Sequence, residues 1–258
     1  MASEPRVAAV TGAASGIGRA TTSRLRADGW SVVAADADAE GLATLADEGV
    51  VAVPADVATE AGNAEIVDTA RGRFGRLDGL VLNAGVASTG SIDTQSVEEF
   101  DRILAVNLRG VMLGLRAAVP ALRAAGGGGV VVTASVSGLF GDAGLCAYNA
   151  SKGGVVNLVR GAAIDLGPDR IRVNAVCPGG IRGTGMTTPL ERHAPALYEE
   201  MRSHVPLGRF GEPGEVATVI AFLLSEAAAF VTGVALPVDG GVTAGTGQFR
   251  ATFPGAPT

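Results

Sequence analysis

The residues best suited to proton chemistry are Tyr148 and Lys152, which lie four positions apart. The chain has two tyrosines, and Lys152 is its only lysine among 20 basic residues. Residues four apart share one face of an α-helix. A phenol has a pKa of about 10, and a neighbouring ammonium that favours its ionised form lets it act as a general acid or base near neutral pH. The spacing predicts proton transfer by Tyr148 with its pKa lowered by Lys152. The alternative is a tyrosine packed on the lysine stem of an exposed helix.

A glycine-rich segment predicts a phosphate-binding loop. It reads Thr11-Gly12-Ala13-Ala14-Ser15-Gly16-Ile17-Gly18 and stands between an apolar run and a predicted helix. Glycines let the main chain approach a pyrophosphate, and the helix N-terminus adds N–H donors and a positive dipole. With 38 glycines in the chain, this spacing arises by chance roughly 0.8 times, so its position between strand and helix carries the prediction.

Asp36, at the end of the next apolar run, predicts the choice of dinucleotide. A carboxylate there accepts hydrogen bonds from the ribose hydroxyls of NAD. It would repel the 2′-phosphate of NADP by about 4 kcal/mol at about 4 Å. Ala37 follows it and Ser15 precedes Gly16, so the sequence places no basic residue beside it, and NAD is the expected cofactor. The alternative is that Asp36 caps the following helix.

The alternation of apolar runs with helical segments predicts how these residues are positioned. Short continuous apolar runs are typical of parallel strands covered on both faces. The prediction is one α/β domain over residues 1–258, with a doubly wound, seven-stranded, mostly parallel sheet and helices on both faces. The predicted strands are 7–10, 32–35, 50–53, 80–82, 130–132, 171–176 and 235–238, and the predicted helices are 16–28, 39–48, 60–73, 97–124, 149–166 and 213–225.

Two regions fit this alternation poorly. Residues 182–211 contain both histidines and several prolines and glycines, and they predict a long excursion after the sixth strand. Ligands of open α/β sheets bind beyond the carboxyl ends of the strands, so this excursion is expected to be a substrate lid. Residues 243–258 carry proline and glycine without a strong period, and no role is predicted for them.

Composition excludes several classes of protein. Hydrophobic residues make up 47% and charged residues 18%, which is unlike a disordered chain. A net charge of -6 argues against nucleic acid as a partner. No run of eighteen uninterrupted apolar residues and no leader are seen, so we expect a cytoplasmic protein without a membrane span. Cys146 and Cys177, with His193 and His204, have no metal-ligand spacing, so no metal is expected.

Several motifs, in order, resemble those of the short-chain dehydrogenase/reductase family over essentially the whole chain. The resemblance implies a Rossmann fold, a homotetramer or homodimer, and an enzyme that interconverts alcohols and carbonyl compounds with a nicotinamide cofactor. The matching residues are 11–18, Asp36, Asp56, Val57, Asn83, Ala84, Gly85, Asn107, Ser135, Tyr148, Lys152, Pro178, Gly179 and 238–241.

The resemblance also implies roles for these residues. Tyr148 is the acid/base, Ser135 holds the substrate oxygen, and Lys152 bonds the nicotinamide ribose and lowers the pKa of Tyr148. Asn107 positions a water that links Lys152 to solvent. The resemblance places Asp56 and Val57 beside the adenine. It places Asn83, Ala84 and Gly85 beside the adenosine ribose. The other cofactor contacts that it implies are Gly12, Ser15, Gly16, Ile17, Gly18, Asp36, Pro178, Gly179, Ile181 and Thr184.

Some alternatives stay open. Ser137 competes with Ser135, Asn107 could bridge within a helix, and Asn83 is expected to brace the sheet rather than to touch cofactor. The family often has threonine where Gly183 stands, which puts the contact of Thr184 with the nicotinamide amide in question.

The expected activity is NAD(H)-dependent interconversion of a small secondary alcohol and a ketone. The alternatives are an NADPH-dependent 3-oxoacyl thioester ketoreductase and a non-catalytic dinucleotide-binding regulator. Asp36 counts against the first of these, and the complete set of Asn107, Ser135, Tyr148 and Lys152 counts against the second.

Overall fold

Seven apolar segments form one parallel sheet in the computed structural model, which describes residues 5–45 and 49–245. The order of the strands is β3-β2-β1-β4-β5-β6-β7, and every pairing is parallel. From β1 the chain adds β2 and β3 on one side of the sheet, and from β4 it adds β5, β6 and β7 on the other side. The pair β1 and β4 is therefore the topological switch point, where sheets of this kind bind ligands. The predicted seven-stranded sheet is confirmed. The strands are β1 (Val7–Thr11), β2 (Ser31–Asp36), β3 (Val50–Pro54), β4 (Gly79–Leu82), β5 (Gly128–Thr133), β6 (Ile171–Pro178) and β7 (Ala235–Val238).

Helices cover both faces of this sheet, as the continuous apolar runs predict. Alternate residues of β1 show why, because Val7 and Ala9 lie in one hydrophobic core and Ala8 and Val10 lie in the other. The first core takes side chains from α3, α5 and α6, and the second takes them from α1, α2 and α9. The helices are α1 (Gly16–Ala27), α2 (Ala39–Ala43), α3 (Glu60–Phe74), α4 (Val97–Leu104), α5 (Gly110–Ala124), α6 (Cys146–Leu166), α7 (Thr187–His193), α8 (Pro195–Ser203) and α9 (Pro213–Leu224).

Three predicted helices differ in their bounds or their regularity. The helix predicted at 39–48 is α2, which ends at Ala43, and residues 46–48 lie outside the described part of the chain. The helix predicted at 149–166 begins three residues earlier, at Cys146. The helix predicted at 97–124 contains a π-helical turn, Ala105–Arg109, between α4 and α5. Such turns admit one extra residue and are frequent at functional sites.

The path Val97–Ala124 is 28 residues long and apolar enough to cross a membrane by length and composition alone. Polar and charged residues interrupt this segment, so the sequence predicted no membrane span there. In the fold, Val111, Leu115 and Leu122 pack into the core against the sheet. These contacts are those of a core helix in a globular domain.

The excursion predicted at 182–211 leaves and rejoins the fold at one point. Ile181 and Gly211 form an isolated parallel bridge at its base. Within it lie α7 and α8, and Tyr198, Val205 and Phe210 form a small core separate from the other two. The Tyr198 and Phe210 rings meet edge to face with centroids 4.8 Å apart. The segment is therefore a folded unit on a narrow base. Of the tail, residues 246–258 lie outside the described residues.

Candidate active site

The glycine-rich loop between β1 and α1 has a shape that only glycine permits. Gly12 has a φ of +67°, and a Cβ on it would lie 2.8 Å from the Cα of Ala84. A Cβ on Gly18 would lie 1.9 Å from the carbonyl oxygen of Gly12. Ser15 is the N-cap of α1, but its side chain accepts no capping hydrogen bond. The first turn therefore keeps N–H donors available to an anion, and the loop fits a dinucleotide pyrophosphate.

Asp36 holds its carboxylate against this loop. Its Oδ2 accepts a hydrogen bond of 2.9 Å from the main-chain N–H of Ala14, and its Oδ1 accepts one of 3.0 Å from Asp38. The N-cap of α2 is Asp38, whose side chain accepts from Gly41. The alternative that Asp36 caps this helix is therefore wrong. Its carboxylate lies beside the phosphate loop, where a ribose would sit.

Arg19, in the first turn of α1, contacts the glycine-rich loop. Its guanidinium contacts the carbonyl oxygen of Ala14 at 3.4 Å and the hydroxyl of Thr44 at 2.7 Å. Ala14 is also the residue whose N–H binds Asp36. Arg19 and Asp36 thus contact the carbonyl oxygen and the N–H of the same residue, Ala14. The bonds to Thr44 and Ala14 hold the Arg19 guanidinium against this loop.

Asn83 binds three neighbouring strands together at their carboxyl ends. Its Nδ2 donates to the carbonyl oxygen of Thr11 at 3.1 Å, and its Oδ1 accepts from the hydroxyl of Thr133 at 3.1 Å. The Thr11 hydroxyl in turn accepts from the main-chain N–H groups of Asn83 and Ala84. These bonds join the ends of β1, β4 and β5, so Asn83 supports the floor of the site.

Asn107 lies fully buried in the π-helical turn, with its side chain turned toward the loop after β4. Its Oδ1 accepts from the N–H of Val86 at 2.8 Å, and its Nδ2 donates to the Val86 carbonyl at 2.9 Å and to the Ser151 hydroxyl at 3.1 Å. Both amide protons are therefore used within the protein. The side chain fastens this loop to α6, and the expected water between Lys152 and solvent stays a prediction.

Lys152 is 3% exposed and points at the end of β5, where its Nζ donates to the carbonyl oxygen of Thr133 at 2.7 Å. Burial lowers its pKa from 10.5 to about 8. A Cβ on Gly85 would lie 3.5 Å from this Nζ and 3.4 Å from the Oδ1 of Asn107. Because Gly85 has no side chain, it leaves room for the side chains of both Lys152 and Asn107 beside it.

Tyr148 is buried in the first turn of α6, and Lys152 follows one turn later. The Lys152 Nζ lies 5.6 Å from the centroid of the Tyr148 ring. Burial raises the pKa of Tyr148 above its usual value, a hydrogen bond with Ser135 opposes this rise, and the charge of Asp142 adds to it. The expected lowering of this pKa by Lys152 is thus corrected. Removal of the phenol from water is the largest cause of the raised pKa, and the Lys152 ammonium is held by Thr133.

Ser135 and Ser137 are both buried after β5, and they form one hydrogen-bonded set. Ser135 Oγ accepts from the N–H of Ser137 at 3.1 Å and donates to its hydroxyl at 3.1 Å. Ser137 Oγ then donates to Oδ2 of Asp142 at 2.5 Å. Ser135 also bonds Tyr148, which places it, rather than Ser137, beside the phenol. Sequence reasoning missed Asp142. Its position between the serine and tyrosine motifs was the only signal for it.

The segment after β6 closes over the phosphate loop. Pro178 ends β6, and a Cβ on Gly179 would lie 3.0 Å from the Cβ of Asp239. The side chain of Thr184 lies against Gly16, since a Cβ there would be 3.5 Å from the Thr184 methyl. Thr184 and Thr187 both donate to the carbonyl oxygen of Ile181.

Thr184 is thereby placed at the phosphate loop, and its contact with the nicotinamide amide stays a prediction. Thr187 is a buried member of this cluster that sequence reasoning missed.

Asp56 and Val57 follow β3 on the same edge of the sheet. The Asp56 carboxylate accepts from the N–H of Ala58 at 2.9 Å, and Val57 is buried. A Cβ on Gly110 would lie 3.0 Å from the Val57 carbonyl, so α5 packs closely here. Flanking of an adenine by these two residues stays a prediction.

The remaining candidate ligands lie apart from this set. His193 and His204 are exposed, and His204 bonds the carbonyl oxygen of Glu200 at 2.8 Å. Cys177 is buried in β6, and burial raises the pKa of its thiol to about 11, so it stays a neutral thiol at physiological pH. Within residues 5–45 and 49–245, no three histidine, cysteine, aspartate or glutamate side chains lie close enough together to hold a metal ion.

At the carboxyl edge of the sheet, the structure thus brings together the glycine-rich loop, the carboxylate of Asp36 and the buried side chains of Ser135, Tyr148 and Lys152. The loop and Asp36 fit a dinucleotide. The phenol and the serine hydroxyl can pass a proton to or from an oxygen atom placed between them.

Comparison with known proteins agrees with this arrangement. A family model described as enoyl-(acyl carrier protein) reductase matches residues 12–243. The chain is 38% identical to levodione reductase of Leifsonia aquatica, with 93% of this chain and 94% of that protein covered. It is 40% identical to meso-2,3-butanediol dehydrogenase of Serratia marcescens, with 94% and 96% covered.

Solved structures show the same fold. A crystal structure of levodione reductase superposes with a TM-score of 0.88 at 38% identity, covering 93% of this chain and 98% of that one. The 3-ketoacyl-(acyl-carrier-protein) reductase of Brucella melitensis, crystallised with NADH, superposes with a TM-score of 0.86 at 36% identity, covering 93% and 99%.

Proposed function

Because this chain belongs to the short-chain dehydrogenase/reductase family, we propose that it is an NAD(H)-dependent enzyme interconverting a secondary alcohol and a ketone, with Tyr148 as the acid/base. It is an oxidoreductase that acts on CH–OH groups and uses a nicotinamide dinucleotide. One observation carries the proposal. Ser135, Tyr148 and Lys152 are buried together at the edge of the sheet that also carries the glycine-rich loop.

The proposed reaction depends on what these side chains do with one proton. In oxidation, Tyr148 takes the hydroxyl proton of the alcohol while Ser135 holds the same oxygen. A nicotinamide dinucleotide held by the glycine-rich loop would supply the acceptor for the hydride of the carbinol carbon. Lys152 supplies positive charge behind the phenol, and Asn107 holds the loop after β4 that lines this space. In reduction, Tyr148 returns its proton to the carbonyl oxygen.

The choice of NAD rests on Asp36. Its carboxylate is fixed beside the phosphate loop by Ala14 and Asp38, and a 2′-phosphate there would meet a negative charge. The Arg19 guanidinium, which contacts the same loop, is engaged by Thr44 and the Ala14 carbonyl. In this proposal the ribose binds against the Asp36 carboxylate, and the adenine lies beside Asp56 and Val57.

Two other functions are alternatives to this proposal. The first is reduction of a 3-oxoacyl thioester with NADPH. A 3-ketoacyl reductase of the same fold was crystallised with NADH, so the cofactor alone does not decide between thioester and simple ketone. The second is a dinucleotide-binding regulator without catalysis, against which the buried Ser135, Tyr148 and Lys152 stand.

A panel of secondary alcohols, ketones and 3-oxoacyl thioesters, followed by NADH and NADPH absorbance, tests the proposal. We expect turnover of an alcohol–ketone pair with NADH and none with the Tyr148→Phe variant. Turnover confined to thioesters with NADPH would favour the first alternative. Dinucleotide binding without turnover of any panel member would favour the second.

Assembly into a homotetramer or homodimer is part of the proposal. The strand β7 lies at an open edge of the sheet, and three large apolar side chains near this side of the molecule, Ile164, Phe222 and Phe230, are exposed. A second copy of the chain would cover them. Light scattering on the eluting protein, compared with Phe230→Glu, tests the assembly. A cytoplasmic location is likewise proposed, and imaging of the tagged full chain tests it.

A further inference from the structure

A short hydroxyl chain, formed by Ser135 and Ser137, leads from the reaction site to the carboxylate of Asp142. Ser135, which bonds Tyr148, has its Oγ 3.1 Å from the Ser137 hydroxyl, and that hydroxyl donates to Oδ2 of Asp142 at 2.5 Å. Both serines are buried, whereas Asp142 is exposed on the loop before α6. An exposed carboxylate thus lies two hydrogen bonds away from the serine beside the phenol.

The loop that carries Asp142 is held on two sides. Asn149 of α6 donates to the main-chain carbonyl oxygen of Asp142 at 2.8 Å. Further along the loop, the N–H of Gly90 donates to the carbonyl oxygen of Gly144 at 2.8 Å, and Gly90 forms an isolated parallel bridge with Leu145. The main chain around Asp142 is therefore tied both to the helix of Tyr148 and to the loop after β4.

One oxygen of this carboxylate is open to a ligand. In the described part of the chain, the Ser137 hydroxyl is the only group that donates to the Asp142 side chain, and it binds Oδ2. A carboxylate accepts hydrogen bonds and donates none. An ammonium, N–H or O–H group of a substrate can therefore bind Oδ1, whereas a substrate carboxylate is repelled.

Positive charges of the site and of the lid are already engaged. The Lys152 ammonium lies 5.6 Å from the centroid of the Tyr148 ring and donates to the carbonyl oxygen of Thr133. The fourth arginine of the lid, Arg192, is exposed on α7. The other three arginines of residues 182–211 pair with glutamates, Arg182 with Glu212, Arg202 with Glu199 and Arg209 with Glu215. The charged group bound to the hydroxyl chain is thus a negative one.

The charge of Asp142 acts on the reacting phenol. Burial is the largest cause of the raised pKa of Tyr148, and the charge of Asp142 adds to the rise while the hydrogen bond with Ser135 opposes it. A negative charge that disfavours a phenolate also disfavours a carboxylate placed beside the same phenol. The effect on Tyr148 therefore supports an effect of Asp142 on charged substrates.

Resting on the proposed function, we propose that Asp142 is a specificity-determining residue that disfavours substrates with a negative charge next to the reacting carbon and accepts neutral or cationic ones. The substrate class is thereby narrowed to secondary alcohols and ketones whose neighbouring substituent is uncharged or carries an ammonium group. Hydroxy acids and oxo acids with a carboxylate at that position lie outside it.

Three alcohols of matched length test the effect of charge. 3-Hydroxybutanamide, 3-hydroxybutanoate and 4-amino-2-butanol carry a neutral, a negative and a positive group after the same CH(OH)–CH2 unit. Their oxidation with NAD⁺ is followed by NADH absorbance. We expect kcat/KM for the amide to exceed that for the carboxylate by about tenfold, and the ammonium compound to react at least as well as the amide. A wild-type protein that oxidises the carboxylate as well as the amide would overturn the proposal.

Three variants show whether Asp142 is the cause. Asp142→Asn removes the charge and keeps an oxygen that accepts from Ser137, and Asp142→Glu keeps the charge. Asp165→Asn is the matched control, because it removes an exposed carboxylate from the far end of α6. Loss of the Asp142 charge also lowers the pKa of Tyr148, which affects every substrate alike, so the readout is the ratio of kcat/KM for the amide over the carboxylate.

We expect this ratio to fall about tenfold in Asp142→Asn and to stay near the wild-type value in Asp142→Glu and Asp165→Asn. Circular dichroism verifies that each variant is folded. A ratio that Asp142→Asn leaves unchanged would show that another group selects the substrate charge.

Ionic strength separates a charge effect from a structural one. Added salt should bring the wild-type ratio toward one and change that of Asp142→Asn little, and a wild-type ratio independent of salt would contradict the role of charge. If the protein turned over no alcohol or ketone, the proposed function would fail. Calorimetric binding of the three alcohols in the presence of NAD⁺ would then still decide, since binding of the carboxylate as tight as that of the amide would overturn the selection by Asp142.

Discussion

The ammonium of Lys152 lies 5.6 Å from the centroid of the Tyr148 ring and donates its hydrogen bond to the carbonyl oxygen of Thr133. The lysine therefore sits behind the tyrosine, fastened to the end of β5. In this position it supplies charge to the site without occupying the space in front of the phenol. Burial raises the pKa of Tyr148 above its usual value, and the hydrogen bond with Ser135 opposes this rise.

Replacing Tyr148 by phenylalanine removes the transferable proton and keeps the ring. We expect turnover to fall by on the order of 10²–10⁴-fold, as for loss of a general acid/base. Binding of NADH, followed by fluorescence, should be nearly unchanged. Tyr198→Phe is the matched control, since that ring packs in the lid against Phe210. Near-native turnover in Tyr148→Phe would exclude the proposed mechanism.

Lys152→Arg keeps a positive charge and should still fail. The site is 3% exposed, and the planar guanidinium is larger than the ammonium it replaces. We expect a loss of about tenfold or more in kcat/KM, equivalent to about 1.4 kcal/mol or more.

Chemical modification tests the same site. Besides the N-terminal amine, Lys152 is the only primary amine, so an acylating reagent confirmed by peptide mapping should abolish activity. Saturating NADH should slow the modification. An enzyme fully acylated at Lys152 that keeps its activity would refute the role of this residue.

Cofactor choice should follow Asp36. Asp36→Ala combined with Ala37→Arg removes the repulsion of a 2′-phosphate and adds a cation, so the ratio of kcat/KM for NADH over NADPH should fall. Asp38→Ala is the matched control. It removes the N-cap of α2, which costs about 1 kcal/mol of stability, and it should leave this ratio unchanged. A wild-type preference for NADPH would show that Asp36 has been misassigned.

The buried lysine should leave a signature in the pH dependence of stability. The folded-state pKa of Lys152 is about 8, against 10.5 when exposed, so between these values the unfolded chain binds the extra proton. Stability therefore rises with pH across this window, relative to Lys152→Met, by at most about 3 kcal/mol. Denaturant unfolding of both proteins at several pH values measures the difference. Burial of Cys177 and Tyr148 acts in the opposite direction at higher pH, but it is common to both proteins.

Two glycine substitutions separate the phosphate loop from ordinary helix positions. A Cβ on Gly18 would lie 1.9 Å from the Gly12 carbonyl oxygen, so Gly18→Ala should cost about 1–3 kcal/mol or more and weaken NADH binding. Gly161, inside α6, has open space around it, and Gly161→Ala should raise stability by up to about 1 kcal/mol. Thermal unfolding and NADH titration of both variants check this pair. Equal effects of the two substitutions would contradict the close packing of the loop.

The sheet could be predicted because its strands are continuous apolar runs that both cores bury. Tyr148 and Lys152 could be predicted because helical spacing alone puts them on one face. The four-residue spacing could not predict whether the pKa of Tyr148 is raised or lowered. The direction of the Tyr148 pKa depends on the exclusion of water and on Asp142, neither of which a four-residue spacing contains.

The π-helical turn at Asn107 and the hydroxyl chain to Asp142 escaped prediction for a related reason. Residues 97–124 are predicted as one helix, and no residue type within Ala105–Arg109 marks the wider turn. The contact of Ser137 with Asp142 depends on how the loop before α6 folds back, which no periodic pattern records. Arg19 was missed likewise, since its contact with Ala14 depends on the shape of the glycine-rich loop.

The bridge between Ile181 and Gly211 makes residues 182–211 an exchangeable cassette. Both ends of the segment are fixed side by side at the end of β6, so an insert of another length needs no movement of the sheet. Doubling the length of such a loop costs only about 0.6 kcal/mol of closure entropy. The segment also carries its own core of Tyr198, Val205 and Phe210. A graft at these two adjacent residues can therefore replace the segment while Ser135, Tyr148 and Lys152 stay in place, provided that it keeps the contacts of Leu207 with Gly240 and of Thr184 with Gly16.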